Sequence, residues 1–224
     1  MANVDLSASK VVALIGALLL IAESIGMIFT GINLAQVQIA QTQGLGILNI
    51  VFGIIGLLAA AILILAIQII EIKQIPIPYE WWLLFCIGGA VLILWLIAGN
   101  FGYASITTSI ILILTAGVIE LLADKKDYLA SQIVALIGAI WVIYNSILFF
   151  IVQAGSIGVN AISYMIFGLI CGIILILTMI EKVDIKIPYE WWTVLIIGWL
   201  VFTWVNVTAG IVILVAFILI LMDY

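Results

Sequence analysis

From Val11 to Ile70 a single charged side chain, Glu23, interrupts an otherwise uncharged stretch, and similar apolar runs continue to the end of the chain. Of the 224 residues 68 % are apolar and 8 % are charged, where a soluble domain carries roughly 45–50 % and about 25 %. So little polar surface could not cover a core in water, and the chain is expected to be an integral membrane protein. The runs far exceed the ~9–11-residue alternating strands of an outer-membrane barrel, so helices should carry the spans. The expected fold is all-α, a polytopic transmembrane helix bundle. Its eight helices are placed at about 10–32, 46–70, 81–99, 104–122, 130–152, 160–180, 191–206 and 208–222. The last two are short and share one run, broken only by Asn206-Val207-Thr208-Ala209-Gly210.

The residues that are missing exclude much chemistry. There is no histidine and no arginine, hence no imidazole base, no usual zinc site and no bidentate phosphate clamp. Cys86 and Cys171 both lie inside apolar runs and read as packing residues. No catalytic residue, cofactor or metal is expected, and no basic run suggests nucleic acid.

The lysines are Lys10, Lys73, Lys125, Lys126, Lys182 and Lys186. With eight helices they fall in the N-terminal segment and the second, fourth and sixth connections, all on one face. The positive-inside rule then predicts a multi-pass protein of the cell membrane with both termini cytoplasmic. The first helix reads as a retained span and not a cleaved signal, because its positive region is poor and its apolar run long.

The sequence repeats itself. Val12-Ala13-Leu14-Ile15-Gly16-Ala17 recurs as Val134-Ala135-Leu136-Ile137-Gly138-Ala139, and Ile77-Pro78-Tyr79-Glu80-Trp81-Trp82 as Ile187-Pro188-Tyr189-Glu190-Trp191-Trp192. Each copy should hold four helices, 1–123 and 124–224, inserted in the same sense and related by an axis along the membrane normal. Inverted-repeat transporter logic needs opposite senses. The hexapeptides start 65 residues apart in the first copy and 53 apart in the second. Part of the difference is expected in the glutamine-rich stretch 33–43, read as a slack connector or as an interfacial strand-like or helical flap over the outer mouth.

Proline suits a first helical turn, a glutamate there complements the helix dipole, and tyrosine with paired tryptophans anchors a helix at the interface. Tyr79, Trp81, Trp82, Tyr189, Trp191 and Trp192 are therefore the expected interfacial anchors. Small residues, among them Gly16, Gly138, Gly168 and Gly172, mark packed faces within or between chains. Glu120, one turn from the 124–127 linker, reads as structural.

Glu23 is the one ionisable residue deep in a span. A lone charge there costs several kcal/mol, so the group should be protonated or hydrogen-bonded. Seven-residue spacing puts Ser9, Gly16, Glu23 and Thr30 on one stripe, which should face protein. The repeat sets Asn145 at the matching position, so Glu23 and Asn145 form the candidate intramembrane polar site, with Asn145 the first candidate partner.

Isoleucine-rich spans, lysine in place of arginine and the duplicated Pro-Tyr-Glu-Trp-Trp resemble uncharacterised multi-pass membrane proteins of archaeal genomes. That resemblance implies membrane residence and brings no activity and no site residue with it. The expected role is a non-enzymatic structural or assembly component of a membrane or membrane complex. Its expected partners are the lipid bilayer and, beyond it, itself or other membrane subunits. The alternative is a small transporter or channel with a path lined by Glu23 and Asn145.

Overall fold

The computed structural model describes residues 7–36, 40–68, 77–99, 107–123, 129–152, 159–180 and 188–223. All elements among them are helical: α1 (Ala8–Ala35), α2 (Ala40–Ile67), α3 (Trp81–Gly99), α4 (Thr107–Leu122), α5 (Ala130–Val152), α6 (Val159–Met179), α7 (Trp191–Trp204) and α8 (Val207–Leu221). The chain divides into two compact units, Met1–Ala123 and Asp124–Tyr224.

Four helices, α1, α2, α5 and α6, are long and apolar enough to cross a membrane, which marks a membrane protein. The hairpin partners are shorter. α7 and α8 have 14 and 15 residues, or about 21–23 Å at 1.5 Å per residue, against a hydrocarbon core of ~30 Å. Of the eight expected spans, four thus reach full spanning length among the described side chains.

In the first unit α1 packs on α2 and α4, and α3 packs on α4. Ser7 caps α1, its hydroxyl accepting from the Lys10 amide. The buried face of α1 carries Ser9, Val12, Ala13, Gly16, Leu20, Ser24, Met27 and Gly31. These recur every three or four residues and so line one side of the helix. Glycines set the closeness of the α1–α2 contact. A Cβ added at Gly31 would lie 2.6 Å from the Gly46 carbonyl oxygen, and one at Gly46 equally near that of Gly31. Backbone approach of this kind holds helices together where lipid supplies no hydrophobic drive.

The second unit makes the same contacts on its own residues: α5 on α6 and α8, and α7 on α8. Gly16 packs against Leu112 and Ile113 of α4, and Gly138 against Val212 and Ile213 of α8. Gly56 sits on Ser24, and Gly168 on Ser146. Gly88 meets Ile113 and Leu114, and Gly198 meets Ile213 and Leu214. Gly172 of the glycine pair on α6 packs on Ala139 and Ile143 of α5, so that small face is used inside the chain.

The length difference between the two copies has a structural location. α1 and α2 have 28 residues each, while α5 and α6 have 23 and 21. Residues 33–35 and 40–43 thus belong to α1 and α2, which replaces the slack connector by helix there and agrees with the helical alternative; residues 37–39 lie outside the described residues.

Candidate intramembrane polar site

Three members of the sequence stripe on α1 face α4. Ser9 donates from its hydroxyl to the Glu120 carboxylate. Gly16 accommodates Ile113. Glu23 accepts from the Ser109 hydroxyl at 2.5 Å. The fourth, Thr30, is exposed, two helical turns beyond the level at which α4 begins.

Ser109 is the third residue of α4. The Glu23 carboxylate also accepts the backbone N–H groups of Thr108 and Ser109. The first turn of any helix leaves N–H groups without partners inside the helix. Here a carboxylate from a neighbouring helix takes two of them, at the positive end of the α4 dipole. Glu23 is thus a helix cap supplied from another helix, and this accounts physically for a carboxyl group at that depth.

The matching position in the second unit behaves differently. The Asn145 amide donates to the Trp141 carbonyl of its own helix at 2.8 Å. α8 is capped locally instead: the Asn206 side chain accepts from the Ala209 amide at 2.9 Å. Ala209 stands where the first unit has Ser109, so the hydroxyl that Glu23 engages has no counterpart. Each unit satisfies the start of its last helix, one through a remote glutamate and the other through the adjacent asparagine. Glu23 and Asn145 engage different partners, each within its own unit.

The Pro-Tyr-Glu-Trp-Trp segments repeat their geometry closely. Trp82 Nε1 donates to Glu80 at 2.7 Å and Trp192 Nε1 to Glu190 at 2.8 Å. Trp81, Trp82, Trp191 and Trp192 are all exposed. The tyrosines turn inward. The Tyr79 and Tyr189 hydroxyls are buried without a hydrogen-bond partner of ordinary geometry, each beside a serine of the first helix of its unit, Ser9 and Ser131. Burial pushes the Tyr189 hydroxyl up to about 12. It raises Tyr79 as well, and the nearby Glu120 charge adds to the effect. Lys10 Nζ lies 5.8 Å from the centre of the Tyr79 ring, within cation–π range. In the second unit Ile220 stands where Glu120 would be, and a cavity of about 270 Å³ opens among Leu129, Ser131, Tyr189, Ile220 and Asp223.

Sequence reasoning missed Ser109 and the Ser9–Glu120 contact. The signal for the first was Thr107-Thr108-Ser109, three hydroxyl residues at the start of an apolar run, the composition of a helix N-terminus that seeks partners. Among the described residues no cluster of three or more metal-ligating side chains occurs. No protein-family model matches the sequence, and the searches of curated proteins and of solved structures gave no match either.

Proposed function

We propose that this chain is a non-enzymatic integral membrane protein serving as a structural or assembly component of a membrane or membrane complex. It is built from a duplicated four-helix unit, with both copies inserted in the same sense. Both termini and every lysine lie on the cytoplasmic side of the cell membrane. Its partners are lipid and either further copies of itself or other membrane subunits.

The observation that carries this reading is the fate of the polar groups within the helices. Glu23 caps α4, Ser9 engages Glu120, and Asn145 and Ser146 donate to carbonyls of their own helix. These groups serve helix packing. A path lined by Glu23 and Asn145 has less support, because the Asn145 amide is turned toward Trp141. The matching glycine contacts of the two units favour duplication.

Two measurements test the proposal. Cysteines at Gln41 and Gly155, in a background of Cys86→Ala and Cys171→Ala, should react with an impermeant maleimide on intact cells. A cysteine at Lys125 should react only after permeabilisation; labelling from outside would overturn the orientation. Native mass spectrometry from lipid nanodiscs should show a stable complex of the chain with itself or another membrane protein. A monomer at every concentration would overturn the assembly role.

A further inference from the structure

We propose that the α7–α8 hairpin enters and leaves by the lysine-bearing face, ending inside the hydrocarbon layer, and that the cleft beyond its tip holds a hydrocarbon chain of a lipid from the opposite leaflet.

The depth follows from the second unit alone. Val205, at the hairpin turn, packs 3.0 Å from where a Cβ on Gly168 would sit. Gly168 is nine residues from the start of α6 at Val159, about 14 Å along that helix. α6 is one of the helices of spanning length, so the turn stands near its middle. α7 begins at the Pro-Tyr-Glu-Trp-Trp segment that follows Lys182 and Lys186. The tip is therefore reached from the lysine face, and the outer half of α6 runs on beyond it.

A turn inside lipid must satisfy its own backbone, since no water is there to do so. This one does. The Val205 and Asn206 amides donate to the Val201 carbonyl at 3.0 and 2.8 Å. The Gly210 amide donates to the Asn206 carbonyl at 2.9 Å, and the Ala209 amide to the Asn206 side chain. Gly210 lets the two helices close tightly, because a Cβ there would strike the backbone of Phe202.

Beyond the tip lies a cleft of about 580 Å³ lined by Ser163, Tyr164, Phe167, Leu200 and Trp204, a volume within the ~300–1,000 Å³ of small-ligand pockets. Trp204 is 72 % exposed, and Tyr164 lies against Phe149 with the rings tilted and their centres 4.3 Å apart. Four of the five lining residues are apolar or aromatic. At this depth the surrounding medium is acyl chain, so the occupant that fits both lining and location is a lipid chain, its head group at the face opposite the lysines.

The test uses the full chain in bilayers of phosphatidylcholine bearing a diazirine near the end of one acyl chain. After irradiation, adducts on Tyr164, Phe167, Leu200 and Trp204 should exceed those on the exposed α5 residues Ile140 and Ile151 at least threefold. Leu200→Trp, which fills the cleft, should lower the cleft adducts and leave those on α5 unchanged. Equal labelling of cleft and α5 would overturn the bound chain. Depth is read separately from a Trp204→Cys variant lacking Cys86 and Cys171. Resistance to an impermeant maleimide from both faces is expected, and rapid labelling from the face opposite the lysines would overturn the hairpin. Membrane embedding itself, on which both this inference and the proposed function rest, is checked by alkaline carbonate washing. Release of the protein would remove that shared premise, whereas retention with either negative result removes only the hairpin or its lipid.

Discussion

The Ser109 hydroxyl of α4 donates to the Glu23 carboxylate of α1 at 2.5 Å, and the two backbone amides beside it turn to the same carboxylate. Glu23→Gln keeps an acceptor of the same size and should cost about 1 kcal/mol or less in thermal unfolding from detergent. Glu23→Leu leaves the start of α4 without its cap and should cost about 1–3 kcal/mol. Equal effects of the two substitutions would contradict the capping role.

Asn206 and Asn145 should separate cleanly. Asn206→Ala removes the cap of α8 and is expected to lower stability by about 1 kcal/mol, within the usual 0.5–2 kcal/mol for a lost N-cap. The Asn145 side chain bonds only its own helix in the described contacts, so Asn145→Ala should change stability by about 0.5 kcal/mol or less. A path shared by Glu23 and Asn145 would make Asn145 the more sensitive of the two asparagines in function.

The α5–α6 contact leaves no room at Gly168, where an added Cβ would collide with the Ser146 hydroxyl. Gly168→Ala should destabilise by about 1–3 kcal/mol, the usual cost of overpacking. Adding Ser146→Ala should recover part of it. Ser24, opposite Gly56, is buried with no hydrogen-bond partner, so Ser24→Ala alone should be neutral or slightly stabilising. Thermal melts of the single and double variants read all three outcomes.

Tyr189 gives a pH signature. Its folded-state value of about 12 lies above the ordinary 10.0, so the unfolded chain loses this proton first as pH rises. The stability it contributes is complete below pH 10 and is lost as pH climbs from about 10 through about 12. At 1.36 kcal/mol per unit, and with the ring part-exposed, the loss is about 2 kcal/mol at most. Tyr189→Phe should be as stable as the parent at pH 8 and should lose less between pH 10 and 12. Identical pH profiles would contradict the buried phenol.

Much of this architecture is legible in the sequence because membrane helices announce themselves by apolar length. The run at 130–152 and the start at Trp81 needed no tertiary information. The duplicated hexapeptides likewise marked the starts of α3 and α7, since proline and glutamate before a tryptophan pair suit a first helical turn. Partners were harder. Glu23 was visible as an anomaly, yet its partner Ser109 lies 86 residues away. The repeated hexapeptides pointed to Asn145, which bonds its own helix, while Asn206 caps α8 in the second unit. Matching sequence positions do not reveal that the two units satisfy the start of their last helix differently. The length difference was visible at 33–43, yet the polar residues there left connector and helix both open, and the structure assigns 33–35 and 40–43 to α1 and α2.

Under the proposed function the polar groups within the helices hold the fold together and carry no ion. Proton and sodium flux into sealed proteoliposomes, with protein and Glu23→Gln reconstituted at equal density, tests it directly. Both are expected to match protein-free vesicles, with Glu23→Gln retaining its fold. A flux well above that background which Glu23→Gln abolishes while the fold is retained would contradict it.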